Sequence, residues 1–147
     1  MRRHKNMSVW NMPIIKYAIL VVLAHIAITV VHGIAHQQLG VTTSSFQYSY
    51  VLVVTLAAPV AAAAMLLVKN IKFQRGGALL LIASMFSSLL FGVFYHMLAF
   101  GSDNIFTVMH GQWSVAFQST AILLAIVDGV GCWVGLRVLK SQKVTLQ

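Results

Sequence analysis

The sequence predicts an all-α membrane protein, a bundle of four transmembrane helices with both termini on the cytoplasmic side. Composition supports this first: of 147 residues, 59% are hydrophobic and only 8% are charged, far from the balance of a soluble domain. Four apolar windows, about 14–37, 46–68, 77–100 and 113–139, are each long enough to cross a hydrocarbon core of about 30 Å as a helix. All Lys and Arg residues fall at the inner ends of those windows or in the connection between the second and third. With connections this short the chain reads as a single membrane domain over 1–147, with no room for a soluble one.

The first window, Ile14 to Gln37, is preceded by Arg2, Arg3, Lys5 and Lys16. Its apolar stretch is too long for a signal peptide and lacks a small-x-small cleavage site, so a retained helix is expected. The second, Phe46 to Val68, contains Ala57, Ala58 and the run Ala61 to Ala64, small residues that let helix backbones approach closely. Its Pro59 removes a backbone donor and crowds the carbonyl of Thr55, which predicts a kink. Lys69, Lys72 and Arg75 read as the loop before the third window, Gly77 to Phe100. There Ser84, Ser88, Gly92 and His96 recur every four residues and mark one protein-facing stripe. The fourth, Trp113 to Leu139, carries Ala121, Ala125 and Gly129 on one diagonal and Gly131 and Gly135 on another; Arg137, Lys140 and Lys143 close it. The remaining loops, Gln38 to Ser45 and Gly101 to Gln112, contain no Lys or Arg, so the positive-inside rule sets an N-in/C-in topology.

This placement also disposes of the formal charge of +8 as a sign of nucleic-acid binding: the basic residues mark helix ends rather than a patch. The single cysteine, Cys132, excludes an intrachain disulfide or a thiolate-rich metal site and reads as a small packing residue. Phosphate-cradling glycine loops, a nucleophile elbow and paired carboxylates are missing, and two acids in the chain cannot support carboxylate-pair catalysis. The histidine-box pattern of membrane di-iron enzymes, which needs more histidines, fails too.

Chemistry concentrates instead in the stretch AHIAITVVHGIAH, residues 24–36, which holds three of the six histidines inside an apolar run. At 100° per residue, and taking His25 as zero, Thr29 falls at about +40°, His32 at about −20° and His36 at about +20°. These groups share a face, and lipid would leave them unpaired, so the face turns to the bundle interior or a wet cavity. Counting rise per residue from the basic ends puts His25 at roughly 15 Å depth and Asp128, the one acid inside a span, at roughly 13–15 Å. A His25–Asp128 hydrogen bond is therefore expected, as a structural pair, a proton relay or a carboxylate that orients a ligand. The same count puts His32, His36 and His96 at about 25, 31 and 30 Å, at the outer rim.

The outer loop adds Asp103 and His110. His32 and His36, at i and i+4, project from adjacent turns, as two ligands of one metal ion do. A third ligand from His96, His110 or Asp103 would complete a transition-metal site. Nitrogen donors without thiolate suit copper, zinc or iron, and Met97 and Met109 beside His96 and His110 lean to copper. The loop itself, Gly101 to Gly111, reads as a short interfacial helix with Ile105, Phe106 and Met109 on one side, lidding the site.

Several functions fit these residues. The first is a metal site at the outer face, for metal handling or redox work in an accessory or catalytic subunit; whether the metal does chemistry is left open. The second is a b-type haem carrier using His32 or His36 with His96, against which stands the lack of Lys or Arg near the outer face to neutralise propionates. The third is a proton-coupled carrier using His25 and Asp128, and the fourth a structural subunit whose polar cluster serves packing alone. Expected partners are the bilayer, copies of the same chain or other membrane subunits, and no nucleic acid.

Overall fold

The computed structural model describes residues 12–108 and 111–143. Among them there is no strand, and four helices are long and apolar enough to cross a membrane. They are α1 (Met12–Gln38), α2 (Ser45–Leu67), α3 (Ile71–Leu98) and α4 (Ser114–Lys143).

Local chemistry sets their ends. Gly40, with φ of +64°, turns the chain after α1, a conformation that costs glycine nothing. At the start of α2 the Ser44 hydroxyl accepts from the Gln47 amide while the Gln47 side chain accepts from the Ser44 amide, a reciprocal capping box. The turn between α2 and α3 is shorter than the sequence suggests. Asn70 caps α3 by accepting from the Lys72 amide at 2.9 Å, so α3 begins at Ile71 and Lys72 and Arg75 lie exposed in its first turns rather than in a loop.

The helices pack antiparallel in sequence, and α4 lies against both α1 and α3 while α2 packs on α3. One apolar core sits at the end bearing Lys16, Lys72 and Lys140 and includes Ala18, Val22, Leu66, Leu81, Met85 and Val138. Small residues permit it. A side chain on Gly77 would meet the Ala62 carbonyl at 2.8 Å, and one on Gly135 would meet Ile82 at 2.6 Å. Gly129 has nothing within 4 Å and lies exposed, so the expected Ala121–Ala125–Gly129 diagonal does not extend to it as a packing surface. Cys132 is half-buried, with its thiol 3.8 Å from the Ile82 carbonyl. A second core at the opposite end gathers Ala35, Ile105, Val108, Phe117 and Ala121. Large apolar side chains cover the outside of all four helices, among them Leu23, Val53, Phe86 and Ile126, a surface consistent with contact with lipid.

Two of the helices depart from α geometry where polar groups gather. Val51–Ala57 of α2 and Phe94–Leu98 of α3 are π-helical turns, a form that often accompanies functional positions. The first lies just ahead of Pro59. The second carries His96.

Candidate metal centre

Between the two cores lies a polar layer. His25 is fully buried, and its Nδ1 lies 2.9 Å from Asp128 Oδ1. Its Nε2 donates to the Thr55 carbonyl at 2.8 Å. In α-helical register that carbonyl would pair with the amide of residue 59, which proline lacks. The imidazole of α1 thus supplies the donor that Pro59 withholds, and binds α1, α2 and α4 at one level. Thr29 is occupied within its own helix, donating to the His25 carbonyl at 2.8 Å.

Toward the loop end, His32, His36 and His96 converge. Each offers a ring nitrogen, and these nitrogens lie within 4.8 Å of one another, a set that could hold a metal ion. Their tautomers follow from what surrounds them. Thr120 donates its only hydroxyl proton to the Ala116 carbonyl at 2.6 Å, so toward His32 Nδ1, 2.8 Å away, it acts as acceptor. His32 therefore carries its proton on Nδ1. His96 Nδ1 faces two acceptors, the Asp103 carbonyl and Asp103 Oδ1, each at 3.0 Å, and it too is the protonated nitrogen. With both rings neutral, their Nε2 atoms carry lone pairs, and they face each other 3.2 Å apart.

His36 is the third ring of the group. Its Nε2 lies 2.9 Å from Asp103 Oδ1, while its Nδ1 is buried with no hydrogen-bond partner among the described residues. Phe117 lies against the trio: stacked on His32 with ring centroids 4.9 Å apart, and edge-on to His36 and His96.

Asp103 is the residue that orders the site. One oxygen takes both His36 and His96; the other accepts from Gln47 Nε2 at 3.3 Å. Burial alone would raise this carboxyl, but the hydrogen bonds from His36 and His96 and the attraction of those rings outweigh it and hold the group well below the carboxylate range. The stability an ionised Asp103 confers is thus complete above its ordinary value near 3.8 and is lost only as pH falls through the lowered one.

Loop residues 101–108 form bends and turns, not the expected interfacial helix. Asn104 is the cause. It is buried, donates from its side chain to the Ala99 carbonyl, and accepts at Oδ1 from the Phe106 amide, an arrangement that competes with helix formation. The Ile105 amide closes onto the His96 carbonyl at 2.9 Å, which fastens the loop over the trio and delivers Asp103 to it. Phe106 points outward, while Ile105 and Val108 enter the second core. Met97 packs against that same core. His110 and Met109 lie outside the described residues.

A cavity of about 260 Å³ extends from the histidine trio down to Asp128. Sequence patterning located its histidines and acids and, through Pro59, the crowded Thr55 carbonyl, whereas Thr120 and Gln47 carried no signal beyond being polar residues in or beside spans. No protein-family model, curated protein or solved structure matches this chain.

Proposed function

We propose that this chain is a multi-pass integral membrane protein that binds one transition-metal ion through His32 Nε2, His36 Nδ1 and His96 Nε2. The ion would serve metal handling or redox chemistry in an accessory or catalytic subunit. By the positive-inside rule both termini face the cytoplasm and the trio opens on the other side of the membrane.

A single observation carries the metal reading: two imidazole nitrogens, on rings whose other nitrogens are already hydrogen-bonded, face each other at 3.2 Å. Bare lone pairs at that distance repel, and a cation between them removes the repulsion. Two imidazole ligands on a tetrahedral ion at about 2.0–2.1 Å stand about 3.3 Å apart, close to the spacing found. The unpartnered His36 Nδ1 supplies a third donor. Asp103 takes the part of an outer carboxylate that orients His36 and His96, as carboxylates commonly do behind metal-bound histidine. This replaces direct ligation by Asp103, and the three ring nitrogens make up the protein's ligand set without His110, which lies outside the described residues. Three nitrogens without thiolate suit zinc, copper or iron. Met97 packs against the second apolar core, so of the two methionines behind the lean toward copper only Met109, outside the described residues, is left.

Haem fits poorly, because a porphyrin would have to separate His32 and His96, whose rings are in edge contact with centroids 4.8 Å apart. A purely structural polar cluster would need a proton between His32 and His96 and would still strand His36 Nδ1. The His25–Asp128 pair already serves to satisfy the carbonyl freed by Pro59, which favours a structural role over a proton relay.

Metal analysis and an absorption spectrum of the purified protein test the proposal. We expect stoichiometric zinc, copper or iron in the wild type and its loss in His32→Ala/His36→Ala. A Soret band would select haem instead, and equal metal content in both proteins would overturn the assignment.

A further inference from the structure

The cavity below the trio has room for a small molecule. An apolar cavity of about 150 Å³ accommodates benzene, so 260 Å³ suits a molecule of about ten non-hydrogen atoms. Its chemistry is layered. At one end stand the three histidines; Val51, Leu89, Leu124 and Ala125 make an apolar middle. At the other end each helix contributes one polar residue: Thr29, Thr55, Ser88 and Asp128. Thr29 is already bonded, but the Thr55 and Ser88 hydroxyls have no hydrogen-bond partner among the described residues. Asp128, the only acid of that floor, lies 2.9 Å from His25, so the floor calls for hydrogen bonding rather than for a counter-charge.

Exposed residues line the cavity on the helix surfaces as well as at the loop end, where Thr43 is exposed. Gly33 of α1 and Tyr48 of α2 line it and are both exposed, and a side chain added at Gly33 would meet nothing within 4 Å. These two helices touch little, and the gap between them faces where lipid would be. Three protein nitrogens leave a tetrahedral ion one open position, as in sites that bind an exchangeable ligand.

We propose that this cavity is the binding pocket for a small, uncharged, amphipathic molecule that arrives from the lipid side and fills that fourth position. A polar head coordinates the metal, an apolar body occupies the middle, and a second polar group reaches Ser88 and Thr55. The assignment rests on the metal reading above and adds the class of molecule that the site takes.

The test uses the full chain, purified and loaded with Co²⁺, whose visible bands report the fourth ligand. Neutral 4-phenylimidazole is titrated against imidazole, which shares its donor but lacks the apolar body. We expect 4-phenylimidazole to bind at least about tenfold more tightly, as burial of a phenyl ring predicts. Gly33→Leu, which puts a side chain into the gap between α1 and α2, should keep Co²⁺ and imidazole binding and lose that preference; Ala125→Leu, which fills the middle, is the second variant should the first not accumulate. Co²⁺ bound with no preference in the wild type, or a preference that survives both substitutions, overturns the pocket while leaving the metal site standing. Failure to bind Co²⁺ at all overturns both.

Discussion

Replacing Asp103 by asparagine separates an orienting carboxylate from a ligand. In the native protein Oδ1 accepts from His36 Nε2 at 2.9 Å and His96 Nδ1 at 3.0 Å, and Oδ2 accepts from Gln47. An amide presents one acceptor and one donor. If the oxygen stays on the histidines, the new NH₂ meets the NH₂ of Gln47, which cannot turn round because its own oxygen caps α2 through the Ser44 amide at 2.8 Å. If the amide faces the other way, His36 loses its acceptor and the tautomer that leaves Nδ1 free is no longer favoured. His96 suffers less, since the Asp103 backbone carbonyl still accepts from its Nδ1. One of the three donors is thus mis-set, and metal affinity should fall about 10–100-fold, the range seen when an outer carboxylate is removed, or about 1.4–2.7 kcal/mol. Competition with a chromophoric chelator at fixed pH measures it, with His36→Ala alongside. A loss as complete as that of His36→Ala would make Asp103 a ligand, and an affinity within about threefold of wild type would refute the orienting role.

Other outcomes follow from the same contacts. His25→Ala strips Asp128 of its partner and uncovers the Thr55 carbonyl, and should cost about 3–5 kcal/mol of stability, read by thermal unfolding in detergent. Pro59→Ala restores an amide donor for that carbonyl, so His25→Ala should be milder in its background by about 1 kcal/mol, measured as a double-mutant cycle; strict additivity would break the link between the two residues. Asp128→Asn can still hydrogen-bond His25 and should fold; in vesicles, loss of pH-dependent uptake by this well-folded variant would revive the carrier reading. Gly77→Ala, whose methyl would meet the Ala62 carbonyl, should destabilise the α2–α3 contact by about 1–3 kcal/mol, whereas Gly33→Ala should be nearly neutral; equal unfolding temperatures for the two would contradict the packing described.

The four helices were legible because nothing else in the chain competes with their apolar runs, and the boundaries moved by only a few residues, most at Ile71 where Asn70 supplies a cap. Depth counting brought His32, His36 and His96 to the outer rim and His25 to the level of Asp128, because rise along a helix is nearly constant. Its limits show at the residues that set each ring's proton. Thr120 and Gln47 look like any polar residue in a span, and nothing local says that a carbonyl orphaned by Pro59 will meet an imidazole from α1. The loop was misread for a physical reason: Gly101 to Gly111 has the spacing of a short amphipathic helix, yet Asn104 offers its backbone neighbours better partners than the helix would. The π-helical turn at Phe94–Leu98 likewise left no pattern that a count at 100° per residue could find.

The trio is assembled from distant stretches of chain: His32 and His36 stand 64 and 60 residues before His96, and the hydroxyl that fixes the His32 proton comes from Thr120 in the last helix. During synthesis, then, the nascent chain has no complete set of donors until its third helix has emerged, and no correctly protonated set until the fourth has docked. An ion held there would report that maturation is finished, and would act as a late rivet on helices already gathered rather than as a seed around which they collect.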